Sequence, residues 1–203
     1  MRRLSSVIAV LGLFVALSLP AFGSSGSGPP PMPTCHPSIT LPDGTVIPST
    51  GPCTETDHFS ELPFLANPLA CPADSNFSGW QIASFTGNGV QHVTVNTAGD
   101  FWLTTTFTGS GSFTPILVPD FSTMPPTITL DPTKPTLVGQ LTMWFGLEGN
   151  AKNFVAHDTA HFIGDTQAPF AAQTVDMHFA DHFSTTGDNP FVPHTVVMHI
   201  SCV

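Results

Sequence analysis

Near the C-terminal end of the 203-residue chain two dipeptides mirror each other, His157-Asp158 and Asp181-His182. Two carboxyl groups held together cannot both ionise cheaply. One keeps a proton, and such a pair can anchor the polar end of a ligand or act as general acid and base. Neighbouring imidazoles can share a divalent ion, because zinc and copper both accept histidine nitrogens. Three further histidines, His161, His178 and His199, lie in the same region. Whether any of this chemistry is available depends on the strands that position the groups.

The region reads as three strands, 152–162, 174–183 and 194–201, each with an apolar face of period two. In the first, Phe154, Ala156, Asp158, Ala160 and Phe162 share one face, with Val155, His157, Thr159 and His161 on the other. In the second, Val175, Met177, Phe179, Asp181 and Phe183 oppose His178, Ala180 and His182. In the third, Val196, Met198 and Ile200 oppose Thr195, Val197, His199 and Ser201. Aligning the apolar faces, with Phe162 set against Val175 across a 12-residue loop, is expected to bring together three pairs: His161 with His178, His157 with His182, and Asp158 with Asp181. Setting Phe183 against His194 then puts His199 beside His178, which completes a row His161–His178–His199. Directly paired residues have Cβ atoms ~4.5–5.5 Å apart, close enough to share a metal. Histidines four apart on one strand, at ~13 Å, are not.

The rest of the chain supplies the sheet. Further candidate strands run over 77–85, 89–95, 101–108, 113–118, 127–130 and 137–147, with tight turns and no helical periodicity. Two hairpins can be registered. One pairs Val93 with Leu103 and His92 with Thr104; the other, turning at Gly149-Asn150, pairs Phe145 with Phe154, Met143 with Ala156 and Leu137 with Phe162. The expected fold is all-β, a small antiparallel up-and-down barrel, with a β-sandwich as the alternative.

Residues 1–23 read as a signal peptide: Arg2 and Arg3, a 13-residue apolar run, then Ala21-Phe22-Gly23. Residues 24–34 form a Ser/Gly/Pro linker, 35–70 a proline-rich arm with a hairpin and a helical turn after Thr54, and 71–203 the β-domain. The expected location is secreted. No later stretch is long and apolar enough to span a membrane. Without Arg2 and Arg3 the formal charge falls from −10 to −12, with Lys134 and Lys152 the remaining cations. Such a chain releases few counterions from a phosphate backbone, which excludes nucleic acid and anionic membranes as partners. Cys35, Cys53, Cys71 and Cys202 allow three connectivities. Spacing favours Cys35–Cys53, closing the hairpin, with Cys71–Cys202 tying the domain's start to its end.

At Gly99-Asp100-Phe101-Trp102, Trp144-Phe145-Gly146, His157-Asp158-Thr159 and Asp181-His182, the chain resembles uncharacterised exported proteins of actinobacteria and other soil bacteria. The likeness covers roughly residues 71–203. It implies a calycin-like barrel without implying an activity. Three functional readings follow. The first is a non-enzymatic barrel binding a small, partly apolar molecule, anchored by Asp158 and Asp181 with His157 and His182 beside them. The second is a metal-binding protein using His161, His178 and His199, with zinc or copper as the one cofactor implied. The third is a cyclase or isomerase working through the aspartates.

Overall fold

The computed structural model describes residues 28, 30, 33–40, 45–69, 77–120, 127–150, 153–185 and 193–202. A small hairpin pairs β1 (Ile39–Thr40) with β2 (Val46–Ile47). The main sheet is an antiparallel meander of seven strands in sequence order: β3 (Cys53–Leu69), β4 (Gly79–Val95), β5 (Phe101–Pro115), β6 (Leu137–Gly149), β7 (Phe154–Thr166), β8 (Thr174–Thr185) and β9 (Pro193–Cys202). No ladder joins β9 back to β3 among the described residues, so the sheet is not closed. No described helix is long and apolar enough to cross a membrane.

Alternation along each strand separates the two faces. On β4, Gln81, Ala83, Phe85, Gln91, Val93 and Val95 are buried while Ser84, Thr86, Asn88 and His92 are exposed. A flat sheet could not bury its own face, so the sheet must roll. The ring centroids of Phe85 on β4 and Phe162 on β7 lie 5.9 Å apart. Three strand spacings separate those positions, which in a flat sheet would be ~14 Å. Phe113 on β5 meets the same Phe162 ring at 4.9 Å. The roll is creased where glycines face inward. Gly111, Gly139 and Gly164 share one register row, and a Cβ added at Gly139 would lie 2.0 Å from the Ile163 carbonyl oxygen on β7. Only a residue without a side chain permits that approach.

The concave face holds two apolar clusters. The larger contains Phe59, Phe85, Phe107, Phe113, Leu141, Phe162 and Met177 among others; the smaller centres on Cys35, Val93 and Val95. Burying each large side chain contributes about 1.5–3 kcal/mol.

Several sequence expectations need correction. The segment after Thr54 is strand, not helical turn. Residues 53–59 alternate between inward and outward positions, and pairing with β4 overrides a weak capping pattern. The main sheet therefore begins at Cys53. Segments 77–85 and 89–95 fall on one strand, β4, which begins only at Gly79, and 101–108 and 113–118 on one strand, β5, which ends at Pro115. Within 127–130 there are only isolated bridges, Ile116 to Leu130 and Asp120 to Thr127. The β4–β5 register is as expected, with Val93 opposite Leu103 and His92 opposite Thr104.

The β6–β7 register is displaced by four residues from expectation: Phe145 faces Asp158, Met143 faces Ala160 and Leu137 faces Thr166. The hairpin is closed by Asn150 and Asn153 instead, the Asn150 N–H donating to the Asn153 carbonyl and the Asn153 N–H to Asn150 Oδ1. An even displacement keeps every side chain on its face, so apolar matching could not detect it.

The Cys35–Cys53 disulfide is present. Cys71 lies outside the described residues, and with it the expected Cys71–Cys202 bond; so do residues 1–23 and most of the 24–34 linker.

Candidate functional site

The β7–β8 ladder brings the mirrored residues together. His161 is opposite His178, His157 opposite His182, and Asp158 opposite Asp181. That register sets Phe162 against Met177 rather than Val175. The loop anchor and the histidine pairs differ by two residues, and an antiparallel ladder can satisfy only one of them.

The β8–β9 register does not set the third member of the expected histidine row opposite His178. His199 pairs with Ala180, and His178 with Ser201. The β8–β9 ladder stands two residues from expectation, so Phe183 meets Val196 and not His194, and a one-residue shift follows between Ser184 and Thr185. The third donor comes from Asp176 instead. It lies two residues before His178, on the same face of β8, and opposite Ile163, two residues from His161 on β7. The carboxylate therefore reaches both rings: its Oδ1 is 2.8 Å from His161 Nε2 and 3.2 Å from His178 Nε2. The two imidazoles stack with centroids 4.1 Å apart and planes 8° from parallel. One donor atom from each of the three residues falls within 4.8 Å of the others. All three side chains remain 39–56% exposed on the convex face.

The second pair lies along the same two strands. The Nδ1 atoms of His157 and His182 are 3.0 Å apart, with ring centroids at 4.3 Å and planes tilted 41°. Between the pairs runs the Trp144–Thr159–Ala180 row. The Trp144 indole folds over Gly146, which stands opposite His157. An open groove of about 490 Å³ follows this face, lined by Thr106, Thr142, Trp144, Thr159, His161 and His178 among others.

The aspartates belong to the other face. Asp158 is half-buried on the concave side; Asp181 is its backbone partner, and its side chain lies outside the description. Their register row continues through Phe145, Thr105 and Gln91 to Asp57 on β3. Gln91 and Thr105 are buried, so a polar row separates the two apolar clusters. Asp57 carries a buried Oδ2 without a hydrogen-bond partner. Desolvation pushes its carboxyl above the ordinary aspartate range, and the charge and hydrogen bond of neighbouring Glu55 push it further, against a smaller opposing effect of His58. Glu55 itself accepts from the Cys35 N–H at 2.7 Å and the Thr34 hydroxyl at 3.1 Å.

Sequence reasoning missed Asp176 and Asp57. Each had a signal: Asp176 is two residues from His178 and so shares its face, and Asp57 lies in a run of strict alternation ending at Phe59. No protein-family model, curated protein or solved structure matches the chain.

Proposed function

We propose that this is an exported β-protein that binds a divalent transition-metal ion, zinc or copper, through His161, Asp176 and His178. The observation that carries the reading is the convergence of three donor atoms of the right chemistry. Ligands ~2.0–2.1 Å from a metal lie ~2.9 Å apart at a right angle and ~3.4 Å apart at the tetrahedral angle. The carboxylate–imidazole separations of 2.8 and 3.2 Å fall close to this range. A bound ion would replace the hydrogen-bonding protons while leaving the strands where they are. Because the donors are exposed, solvent can complete the coordination, and the ion can be taken up and released. A chain at −10 with four cations in all attracts positive ions at long range.

The Cys35–Cys53 disulfide supports an oxidising compartment, consistent with export by the N-terminal signal. Continued rolling of the meander supports an up-and-down barrel over a sandwich, since aromatic contacts already cross three strand spacings. The metal reading displaces the apolar-ligand reading because Phe85, Phe107, Phe162, Leu141 and Met177 occupy the described concave face, while metal donors converge outside it.

Thermal unfolding with zinc tests this. At a hundredfold excess over the dissociation constant, binding adds about 2.7 kcal/mol, or roughly 5–10 °C for a domain of this size. His178→Ala should lose most of that shift, and Asp176→Asn a substantial part. An undiminished zinc response in His178→Ala would refute the site.

A further inference from the structure

We infer that His157 and His182 form a second metal site on the same face, one that selects copper(II) over zinc. It uses different residues from the proposed triad and stands or falls separately. Four residues along the strand, ~13 Å, is too far for a shared two-metal centre, which needs ~3.5–4 Å. Each site therefore holds its own ion.

Selectivity follows from the separation of the donors. With metal–nitrogen bonds of ~2.0–2.1 Å, nitrogens 3.0 Å apart subtend ~95° at the metal. That suits the adjacent positions of a tetragonal copper(II) centre. A tetrahedral zinc prefers nitrogens ~3.4 Å apart, and among the described residues no third protein donor joins this pair to hold zinc as Asp176 does in the triad. The first-row affinity order acts in the same direction, since copper(II) exceeds zinc for nitrogen donors. Without metal, the short contact requires one Nδ1–H to donate to the other Nδ1 lone pair. When copper binds, that proton moves to Nε2 of its own ring, so both rings stay neutral and each offers a lone pair. His157 is exposed, which gives the ion entry and water the remaining positions. The Trp144 indole over Gly146 forms a wall next to His157 and serves as an optical reporter.

The test is the number of ions retained after equilibrium dialysis of the folded chain. Wild type should hold two copper ions but one zinc. His157→Ala and His182→Ala should each lower copper to one and leave zinc at one; both variants are made because His182 is partly buried. His178→Ala should also retain one copper, and that ion should quench fluorescence that Trp144→Phe removes. Two copper ions retained in both His157→Ala and His182→Ala would overturn the second site, as would loss of both coppers in His178→Ala. Zinc lost with His178→Ala while copper persists would show that the two sites are independent.

Discussion

If the sheet rolls as its aromatic contacts indicate, Phe85 and Phe162 must be energetically coupled although three strand spacings lie between them. Both are fully buried, and their rings meet edge-on at 5.9 Å and 74°. Truncating either to alanine would cost about 3–5 kcal/mol, and the double variant would approach the whole stability of a typical domain. Phe→Leu is the better perturbation. It keeps most of the volume, costs less than the ~3–5 kcal/mol of Phe→Ala, and removes the ring geometry, worth ~0.5–1.5 kcal/mol for an edge-to-face pair. The coupling measured by urea unfolding of wild type, the two single variants and the double should fall in that ~0.5–1.5 kcal/mol range. Phe85 and Phe113 on adjacent strands, 5.3 Å apart, supply a control that should couple in a flat or a rolled sheet alike. Additivity of Phe85 and Phe162 within ~0.3–0.5 kcal/mol, with the control still coupled, would refute the rolled sheet.

Two further outcomes are expected. Replacing Cys35 and Cys53 by serine should lower stability by about 3 kcal/mol for a loop of this length, read as a drop in the urea midpoint; an unchanged midpoint would show that the bond does not constrain the unfolded chain. Asp57, held above its ordinary value mainly by desolvation, keeps a proton in the native state that the unfolded chain has released. Its contribution is full below about pH 4 and is lost as pH rises through the native value, so Asp57→Asn should gain on wild type over that rise, and parallel pH–stability curves would refute it.

The face of each residue was legible in the sequence, because period-two alternation fixes it locally. Thus His157, His161, His178 and His182 were correctly assigned outward, and Asp158 inward with the apolar residues. The partner across the ladder was less legible. The β4–β5 register was readable because the loop between Val95 and Phe101 is short and bonded within itself, Asn96 Oδ1 accepting from the Ala98 and Asp100 N–H groups. At β6–β7 Asn153 closes the hairpin with Asn150 in place of a two-residue Gly149-Asn150 turn, and at β8–β9 the ladder stands two residues from expectation, which no composition signal marks. Both errors were even. They left every face intact and changed every partner, which is how His199 was assigned to His178; Asp176 was passed over on a ladder whose histidine pairs were read correctly, because the outward face was counted only from His178.

The spacing of histidines makes the β7–β8 register decisive for the proposed sites. Both strands carry them four residues apart, at 157 and 161 and at 178 and 182. Moving the register by two in either direction would leave no histidine opposite another, and moving it by four would leave one pair. The observed register gives two, and with them Asp158 opposite Asp181. Cross-strand pairing of like groups gains least from side-chain electrostatics, and like charges placed directly opposite are destabilising. The Asp158–Asp181 opposition is therefore not explained by charge attraction across the ladder. On the proposed reading, metal ions would account for the two outward pairs: an ion held between paired imidazoles would turn a weak contact into a cross-link between β7 and β8. Metal should then protect the backbone amides of these two strands from hydrogen exchange more than those of β4 and β5. Uniform protection across the sheet would mean that the register is set by the apolar face alone.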